Sequence, residues 1–353
     1  MIFADLLQQP CAWLAPGADT GIVVSSRIRL ARNLKGAAFP GWAGEEECER
    51  VWQHLRPVLL GLKTLTPAFA FGMAELEEFE RMILFERHLI SGEMAQRGRG
   101  SGLVATQDET ISVMVNEEDH LRLQSLTPGL TLQAIWQRMN TLDDEIEARV
   151  RYAFSPRLGY LTACPTNVGT GLRASVMLHL PGLALMNELN PVAKGLTKIG
   201  LAVRGLWGEG TEAAGNMFQI SNQITLGDRE ENIVRTIEQI VLELVNHEKN
   251  ARVRLLEKRE IVLRDHVGRA LGILSHAHLL SSKEALDLLS GLRLGIDLGI
   301  LRGVDRPAVD RLLLLSQPAH LQQREGKLLK PRDRDRVRAD LIRTQLAEAR
   351  GQA

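Results

Sequence analysis

The sequence predicts an α+β fold in which a strand-and-helix region is followed by a smaller, purely helical one. Through residues 22–256 short β-prone runs alternate with helix-length apolar spacing, and from about Asp265 onward leucines recur at helical spacing with few strand formers. A chain of 353 residues with 44% hydrophobic content is also long enough to bury two cores. Taking the elements in order, Ile22 to Ser26 reads as a short strand, and Glu45 to Leu62 and Phe79 to Ile90 as helices. Val104 to Thr106 and Ile111 to Asn116 flank the polar turn Gln107-Asp108-Glu109 and read as an antiparallel hairpin. Leu130 to Phe154 is helical in spacing, Gly159 to Ala163 and Leu201 to Gly205 are strand candidates, and Arg229 to Leu256 is a long helix. Beyond it Leu271, Leu274, Leu280, Leu286, Leu289 and Leu312 to Leu315 mark the helical region. There Gly291, Gly295 and Gly299 follow at four-residue spacing, which permits close helix approach or marks helix ends. The expected division is residues 1–262 and 263–353, and no internal repeat is present.

Composition removes several classes of function. Lys+Arg and Asp+Glu both number 43, so there is no overall basic field to drive nucleic-acid binding, and any anion site has to be local. The cysteines are Cys11, Cys48 and Cys164, with no Cys-x-x-Cys pair; a disulfide framework and a cysteine zinc site are disfavoured, and a reducing, cytoplasmic location is expected. No run approaches the eighteen or so apolar residues of a membrane span, and the start Met-Ile-Phe-Ala-Asp lacks an export pattern, so no membrane association is expected.

The residues that carry chemistry are arginines and carboxylates. Residues 164–181 put a thiol, two glycines and Arg173 on a turn-rich loop before an apolar run; Gly169 and Gly171 could turn backbone amides toward an anion, although an ordinary turn is equally consistent. Arg27 and Arg29 are two apart, so on a strand both face one side, where they repel unless an anion lies between them or both are surface residues. Arg122, Arg173 and Arg204 likewise stand beside small residues or at strand edges, and together the five could wrap a triphosphate. Glu117, Glu118 and Asp119 cluster at the end of a strand, as a solvated turn, a cation subsite or oxygen ligands for a divalent metal; Glu209 lies between two glycines after Arg204. Neither a Walker loop nor the His-Arg-Asp and Asp-Phe-Gly signatures occur, which excludes the familiar nucleotide hydrolases and eukaryotic-type protein kinases.

Five blocks in order resemble the phosphagen (guanidino) kinases, and among them the bacterial protein arginine kinases of the McsB type. They are Ser-Ser-Arg-Ile-Arg-Leu-Ala-Arg-Asn (25–33), Asn-Glu-Glu-Asp-His-Leu-Arg (116–122), Cys-Pro-Thr-Asn-Val-Gly-Thr-Gly-Leu-Arg-Ala-Ser-Val (164–176), Arg-Gly-Leu-Trp-Gly-Glu-Gly (204–210) and Asn-Met-Phe-Gln-Ile-Ser-Asn (216–222). The resemblance implies an antiparallel sheet flanked by helices that binds ATP and Mg²⁺. The nucleotide site would comprise Ser25, Ser26, Arg27, Ile28 and Arg29; His88 and Arg122; Arg173, Ala174, Ser175, Val176 and Met177; and Arg204, Gly205, Leu206, Trp207, Gly208 and Glu209. His88 lies in a helical, apolar stretch where simple packing is the competing reading. Glu118 and Glu209 fall on the carboxylates that hold the acceptor guanidinium, Cys164 on the thiol beside it, and Asp119 is adjacent. A guanidinium is protonated at neutral pH and a poor nucleophile, so a carboxylate has to orient it and take its proton; Glu118 is assigned that role and Glu209 the other edge of the fork. As a thiolate Cys164 would add electrostatic orientation, and as a small buried hydrophobe it would be inert.

Small-guanidine members of the family carry a helical domain ahead of the Ser-x-Arg-x-Arg block; here barely two dozen residues precede Ser25, which suits an open site reaching arginine within a polypeptide. Arg334, Asp335, Arg338 and Ala339 fit the Arg-Asp-x-x-Arg-Ala pattern that the resemblance makes a phosphoarginine pocket, with Arg334 and Arg338 one turn apart and able to point at one phosphoryl group. A solvated charged helix is the competing reading of that run. The implied activity is ATP-dependent phosphorylation of arginine in proteins, with a free-guanidine kinase or a phosphoarginine-binding adaptor as alternatives. Implied partners are protein substrates, a zinc-binding activator, a Clp-type unfoldase, a heat-shock repressor and further copies of the chain.

Overall fold

The protein is described by a computed structural model over residues 11–15, 21–206 and 214–351. Its frame is an eight-stranded sheet in which every neighbouring pair is antiparallel, in the order β2-β3-β4-β5-β1-β8-β10-β9. The strands are β1 (Val23–Arg32), β2 (Ala68–Gly72), β3 (Gly102–Thr106), β4 (Ile111–Val115), β5 (Leu121–Pro128), β8 (Leu172–His179), β9 (Leu201–Gly205) and β10 (Met217–Asn222), with β6 (Phe154–Ser155) and β7 (Gly159–Tyr160) forming a separate ribbon. Because side chains alternate across a strand, Ile28 and Leu30 of β1, Val113 of β4, Leu123 of β5 and Ala174 and Val176 of β8 all fall on one face, where each is fully buried. That face is covered by α1 (Glu45–Leu60), α4 (Leu132–Glu147) and α7 (Glu230–Lys258).

Short helices α2 (Glu78–Glu86), α3 (Gly92–Ala95), α5 (Pro181–Leu185) and α6 (Leu189–Lys198) connect the strands, and five more complete the chain: α8 (Glu260–His276), α9 (Ser282–Asp297), α10 (Arg306–Leu315), α11 (Pro318–Glu325) and α12 (Pro331–Gly351). The helices break at Arg259, just ahead of the expected division after residue 262. Two of the spaced glycines bring α9 onto α8: a Cβ on Gly295 would stand 2.5 Å from a methyl of Val267, and one on Gly291 3.1 Å from Ala270 Cβ. Gly299 instead ends the helix at a positive φ of 67°. The helical region packs on the opposite sheet face at one end, where Val24, Leu126, Met177 and Met217 join Leu286, Leu289 and Leu312 in one apolar cluster. Glu86, at the end of α2, fastens it further by accepting from the Ala319 and His320 amides at 2.8 and 3.1 Å and from His320 Nδ1 at 2.7 Å, at the start of α11. Among the described residues no helix is long and apolar enough to cross a membrane.

Several elements differ from the sequence expectation. β1 runs to Arg32 rather than Ser26, because the alternation Arg-Ile-Arg-Leu continues the strand after the apolar run stops. The long helix expected over 130–154 ends at Glu147, and Phe154 enters the β6–β7 ribbon. The helix expected over 79–90 ends at Glu86, and the strand expected over 159–163 is only two residues long. Strands β2, β5, β8 and β10 were not anticipated as strands.

Arg32 illustrates how the sheet is locked. It is 1% exposed, and its guanidinium meets Asp143 of α4 at 2.7 to 3.2 Å, donates to the Ala31 and Thr170 carbonyls at 2.9 and 2.8 Å, and lies 3.5 Å from the Tyr160 ring centroid. Tyr152 donates to the same carboxylate at 2.9 Å. Removing one partner leaves a buried charge uncompensated, so Asp143→Ala is expected to destabilise the fold by about 3–5 kcal/mol in urea denaturation. A loss under about 1 kcal/mol would show that the pair contributes little.

Candidate functional site

The sheet face opposite the apolar one is lined with arginines. Pairing sets Arg29 opposite both Arg173 on β8 and Gln124 on β5, Ala31 opposite Arg122, and Arg204 on β9 opposite Gln219 on β10. Directly paired residues of antiparallel strands share a face, so strand register alone gathers Arg27, Arg29, Arg122, Arg173 and Arg204, all five of which line an open cavity of about 680 Å³. The packing of like charge is visible in their proton affinities. Burial, with Arg122, Arg173 and Arg204 adding repulsion, pulls Arg27 down to about 9, and burial with Arg27, Arg122 and Arg173 pulls Arg29 well below its ordinary range. Guanidinium groups do not give up their protons near neutral pH, so these depressions express the cost of desolvating the cations first and the repulsion between them second. Arg27 is held by Gln219, whereas the Nε of Arg29 is buried without a hydrogen-bond partner. A polyanion relieves such a cluster.

His88 also faces this cavity, but from the end of α2 rather than from within a helix, at a positive φ of 61°. Its ring meets Trp13 edge-on at 4.8 Å, its carbonyl accepts from Gln124 Nε2 at 2.6 Å, and burial together with Arg27 and Arg29 lowers it to about 3, which leaves the imidazole neutral.

The carboxylates stand at the other end of the cavity, on the turn joining β4 to β5. Asn116 enters the turn at φ 58°, tied by its side-chain amide to the Cys48 and Gly100 carbonyls at 2.8 and 2.6 Å. The three acids have different environments. Glu117 is 1% exposed and paired with Arg122 and Ser91; burial would raise it, but these partners overcome that and hold it at about 2. It is therefore neither a solvated turn residue nor an available metal ligand, and part of Arg122 is committed to it. Asp119 is 3% exposed, accepts from Asn33 Nδ2 and the Ala163 amide, both at 2.6 Å, and so fixes the loop that carries Cys164. Glu118 alone is exposed, and partial burial plus the neighbouring Asp119 and Glu117 raise it above the usual glutamate range. Cys164 lines the cavity, half-buried, with Sγ 3.0 Å from Thr166 Oγ1.

The structure corrects other assignments. Ser26, Ile28, Ala174 and Val176 belong to the β1 and β8 segments but point to the apolar face; all four are fully buried, and Ser26 Oγ donates to the Gly129 carbonyl at 2.8 Å. Ser25, Ser175 and Met177 are also buried, Met177 in the cluster shared with the helical region, and Gly205 lies at the end of β9 followed by buried Leu206 at the cavity wall. Gly169 and Gly171 do not form an amide cradle: a Cβ there would stand 2.4 Å from the Thr225 carbonyl and 2.6 Å from the Ala31 carbonyl, and the Gly169 amide donates to Tyr160. They exist for close backbone packing, while Arg173 emerges on a strand. Trp207, Gly208 and Glu209 lie outside the described residues. Sequence reading missed Gln124 and Gln219, which share the arginine face by register and show no motif of their own.

In the C-terminal motif, Arg338 is 1% exposed and donates to the Ser316 and Leu280 carbonyls, Ser282 Oγ and Asp335 Oδ1 at 2.7 to 2.8 Å. It does not stand beside Arg334 pointing outward, because these internal acceptors hold it. Ala339 is fully buried, and Arg334 and Asp335 are half-buried.

Residues 59–251 match the family described as ATP:guanido phosphotransferase, C-terminal catalytic domain, and residues 260–353 match the protein-arginine kinase McsB C-terminal domain. The chain is 47% identical to a protein-arginine kinase of Halothermothrix orenii over 98% of this chain and 99% of that one, and 46% identical to one of Moorella thermoacetica over 97% and 99%. Among solved structures it resembles the duplicated taurocyamine kinase of Schistosoma mansoni, with a TM-score of 0.60 and 29% identity over 70% of this chain and 36% of that longer one. It also resembles lombricine kinase, with a TM-score of 0.58 and 27% identity over 65% and 67%. An arginine-lined sheet face ending in a carboxylate turn, set in an antiparallel sheet of this topology, accords with those matches: the chain belongs to the ATP:guanido phosphotransferase family, among its protein-arginine kinases.

Proposed function

We propose that the protein transfers the γ-phosphoryl group of ATP to arginine side chains of proteins. The observation that carries this reading is the division of one cavity into a cationic floor and a carboxylate end. The arginine face suits the phosphates of ATP, which membership of the family implies as donor. Glu118, the exposed one of the three neighbouring carboxylates and raised above the usual glutamate range, suits the acceptor guanidinium. In the proposed step a guanidinium nitrogen loses its proton to Glu118 and its lone pair attacks the γ-phosphorus. The bond to the β,γ-bridging oxygen breaks, giving N-phosphoarginine and ADP. Arg27, Arg29, Arg173 and Arg204 neutralise the charge that moves onto the leaving diphosphate, and little other covalent chemistry is needed. Asp119 acts on position, holding the Cys164 loop against the acceptor end. The described residues contain no group of three or more potential side-chain metal ligands, and Mg²⁺ enters this proposal as part of MgATP, where it keeps waters and phosphate oxygens as ligands. Glu209 as the second guanidinium carboxylate belongs to the same proposal.

For the C-terminal motif we propose a phosphoarginine reader in which Arg334 and Asp335 meet the ligand, with Arg338 holding Asp335 in place. The activator, unfoldase, repressor and self-association implied by the resemblance, and a cytoplasmic location, are carried as parts of this reading. Phosphorus NMR and mass spectrometry at non-acidic pH, on the protein with MgATP and an unstructured arginine-containing protein, test it. Acid-labile phosphate on the substrate's arginines is the expected result, and phosphate appearing only on free arginine in a parallel sample would overturn it.

A further inference from the structure

The loop between β1 and α1 carries Trp42 on the rim of the same cavity, and this side chain is 91% exposed. The other described tryptophans, Trp13, Trp52 and Trp136, are 2%, 3% and 7% exposed. A single exposed apolar residue is ordinary on a protein surface, so exposure alone decides nothing. What distinguishes Trp42 is its mounting. The amides of Trp42 and Ala43 both donate to the Phe39 carbonyl at 2.8 and 2.9 Å, and the Ala38 amide donates to Glu47 at 3.0 Å. Phe39 stands edge-on to the His120 ring with centroids 6.1 Å apart, and His120 Nδ1 accepts from the Leu34 amide at 3.2 Å. The loop is thus fastened to the residue next to Asp119 and two beyond Glu118, at the carboxylate end of the cavity.

An arginine within a polypeptide can bring only its guanidinium to Glu118; its backbone and the residues on either side remain at the rim. An aromatic side chain on a fastened loop is effective there, since it offers a large apolar area with only two side-chain torsions to order. We propose that Trp42 is a specificity-determining residue whose indole packs against an aliphatic or aromatic side chain flanking the target arginine. This rests on the protein-arginine kinase reading of the cavity and adds to it a preference among arginines. The occupant is a polypeptide segment, because the rim is continuous with the end of the cavity that receives the guanidinium.

Two peptides differing only at the neighbours of a single arginine, leucine in one and glycine in the other, test this with wild type, Trp42→Ala and Trp42→Phe, reading phosphoarginine by mass spectrometry. Wild type is expected to favour the leucine peptide by about tenfold in kcat/KM, mainly through KM. Trp42→Ala should bring the ratio close to one, and Trp42→Phe should keep most of it. Because each ratio is taken within one enzyme, a general loss of activity does not imitate the effect. Equal ratios in wild type and Trp42→Ala, or an increase in KM for ATP common to both peptides, would overturn the inference and leave the kinase reading standing. Phosphorylation of free arginine with neither peptide modified would overturn both.

Discussion

Replacing Glu118 by glutamine is expected to lower kcat by about 10²–10⁴-fold while leaving KM for ATP within about threefold, because the amide keeps the shape of the acceptor contact but accepts no proton. The environment of the three acids makes this prediction specific. Glu117 is occupied by Arg122 and Ser91, and Asp119 by Asn33 and Ala163, so neither is placed to substitute for Glu118. The same environment sets a pH dependence. Burial and two acidic neighbours raise Glu118, so its proton is retained to a higher pH than in an ordinary glutamate. The base form, and with it kcat/KM, is lost as pH falls, and the acidic limb of the profile should lie above the usual glutamate range. Steady-state rates from pH 5 to 8 would show the limb in wild type and its absence in the residual activity of Glu118→Gln. Full activity of the variant would remove Glu118 from the proton-transfer role.

The second large effect is expected at Arg29, in opposite directions for activity and stability. Its guanidinium is desolvated and crowded by Arg27, Arg122 and Arg173, and its Nε is unpaired, so the unliganded protein holds it against both desolvation and repulsion. Arg29→Met should raise the melting temperature of the unliganded protein by several degrees, as replacement of a poorly compensated, partly buried charge by an apolar side chain of similar reach does elsewhere. The same change should lower kcat/KM by about 10³-fold or more, the scale on which arginines stabilise phosphoryl-transfer transition states. Differential scanning fluorimetry with and without inorganic tripolyphosphate separates the two effects, since a ligand stabilises in proportion to its occupancy of the folded state. Wild type should gain from tripolyphosphate and the variant gain much less. A variant that melts lower than wild type without ligand would contradict the repulsion described here.

Much of the site was legible because its chemistry resides in residue types that are unusual in their context. Arg27 and Arg29 at a period of two announce a charged strand face, and the Glu117-Glu118-Asp119 run announces a carboxylate turn. The roles within that turn were not legible, because they depend on Ser91, Asn33 and Ala163, each distant along the chain. Contiguous blocks also misled. A block along a strand is half interior by geometry, so Ile28, Ala174 and Val176 went to the core while their neighbours faced the cavity. Strands β5 and β8 escaped notice because Arg122 and Gln124 in one and Arg173 and Ser175 in the other interrupt their apolar residues, although those positions share the face of the site. Arg338 read as an outward cation on a charged helix, and only the approach of the Leu280 and Ser316 carbonyls makes it an interior one.

The cluster joining Val24, Leu126, Met177 and Met217 to the leucines of α9 and α10 bears on how such a chain can be inherited. Nucleotide-side strands and C-terminal helices contribute to one packed interior, and Glu86 adds a polar clasp between them. A helical region borrowed from another gene would meet that interior with the wrong volumes and leave the clasp without donors. The two regions are therefore bound to change together over generations, each substitution on the strand side narrowing what the helices can accept. Recombination at the Arg259 break would fall between two helices and would still divide that packing.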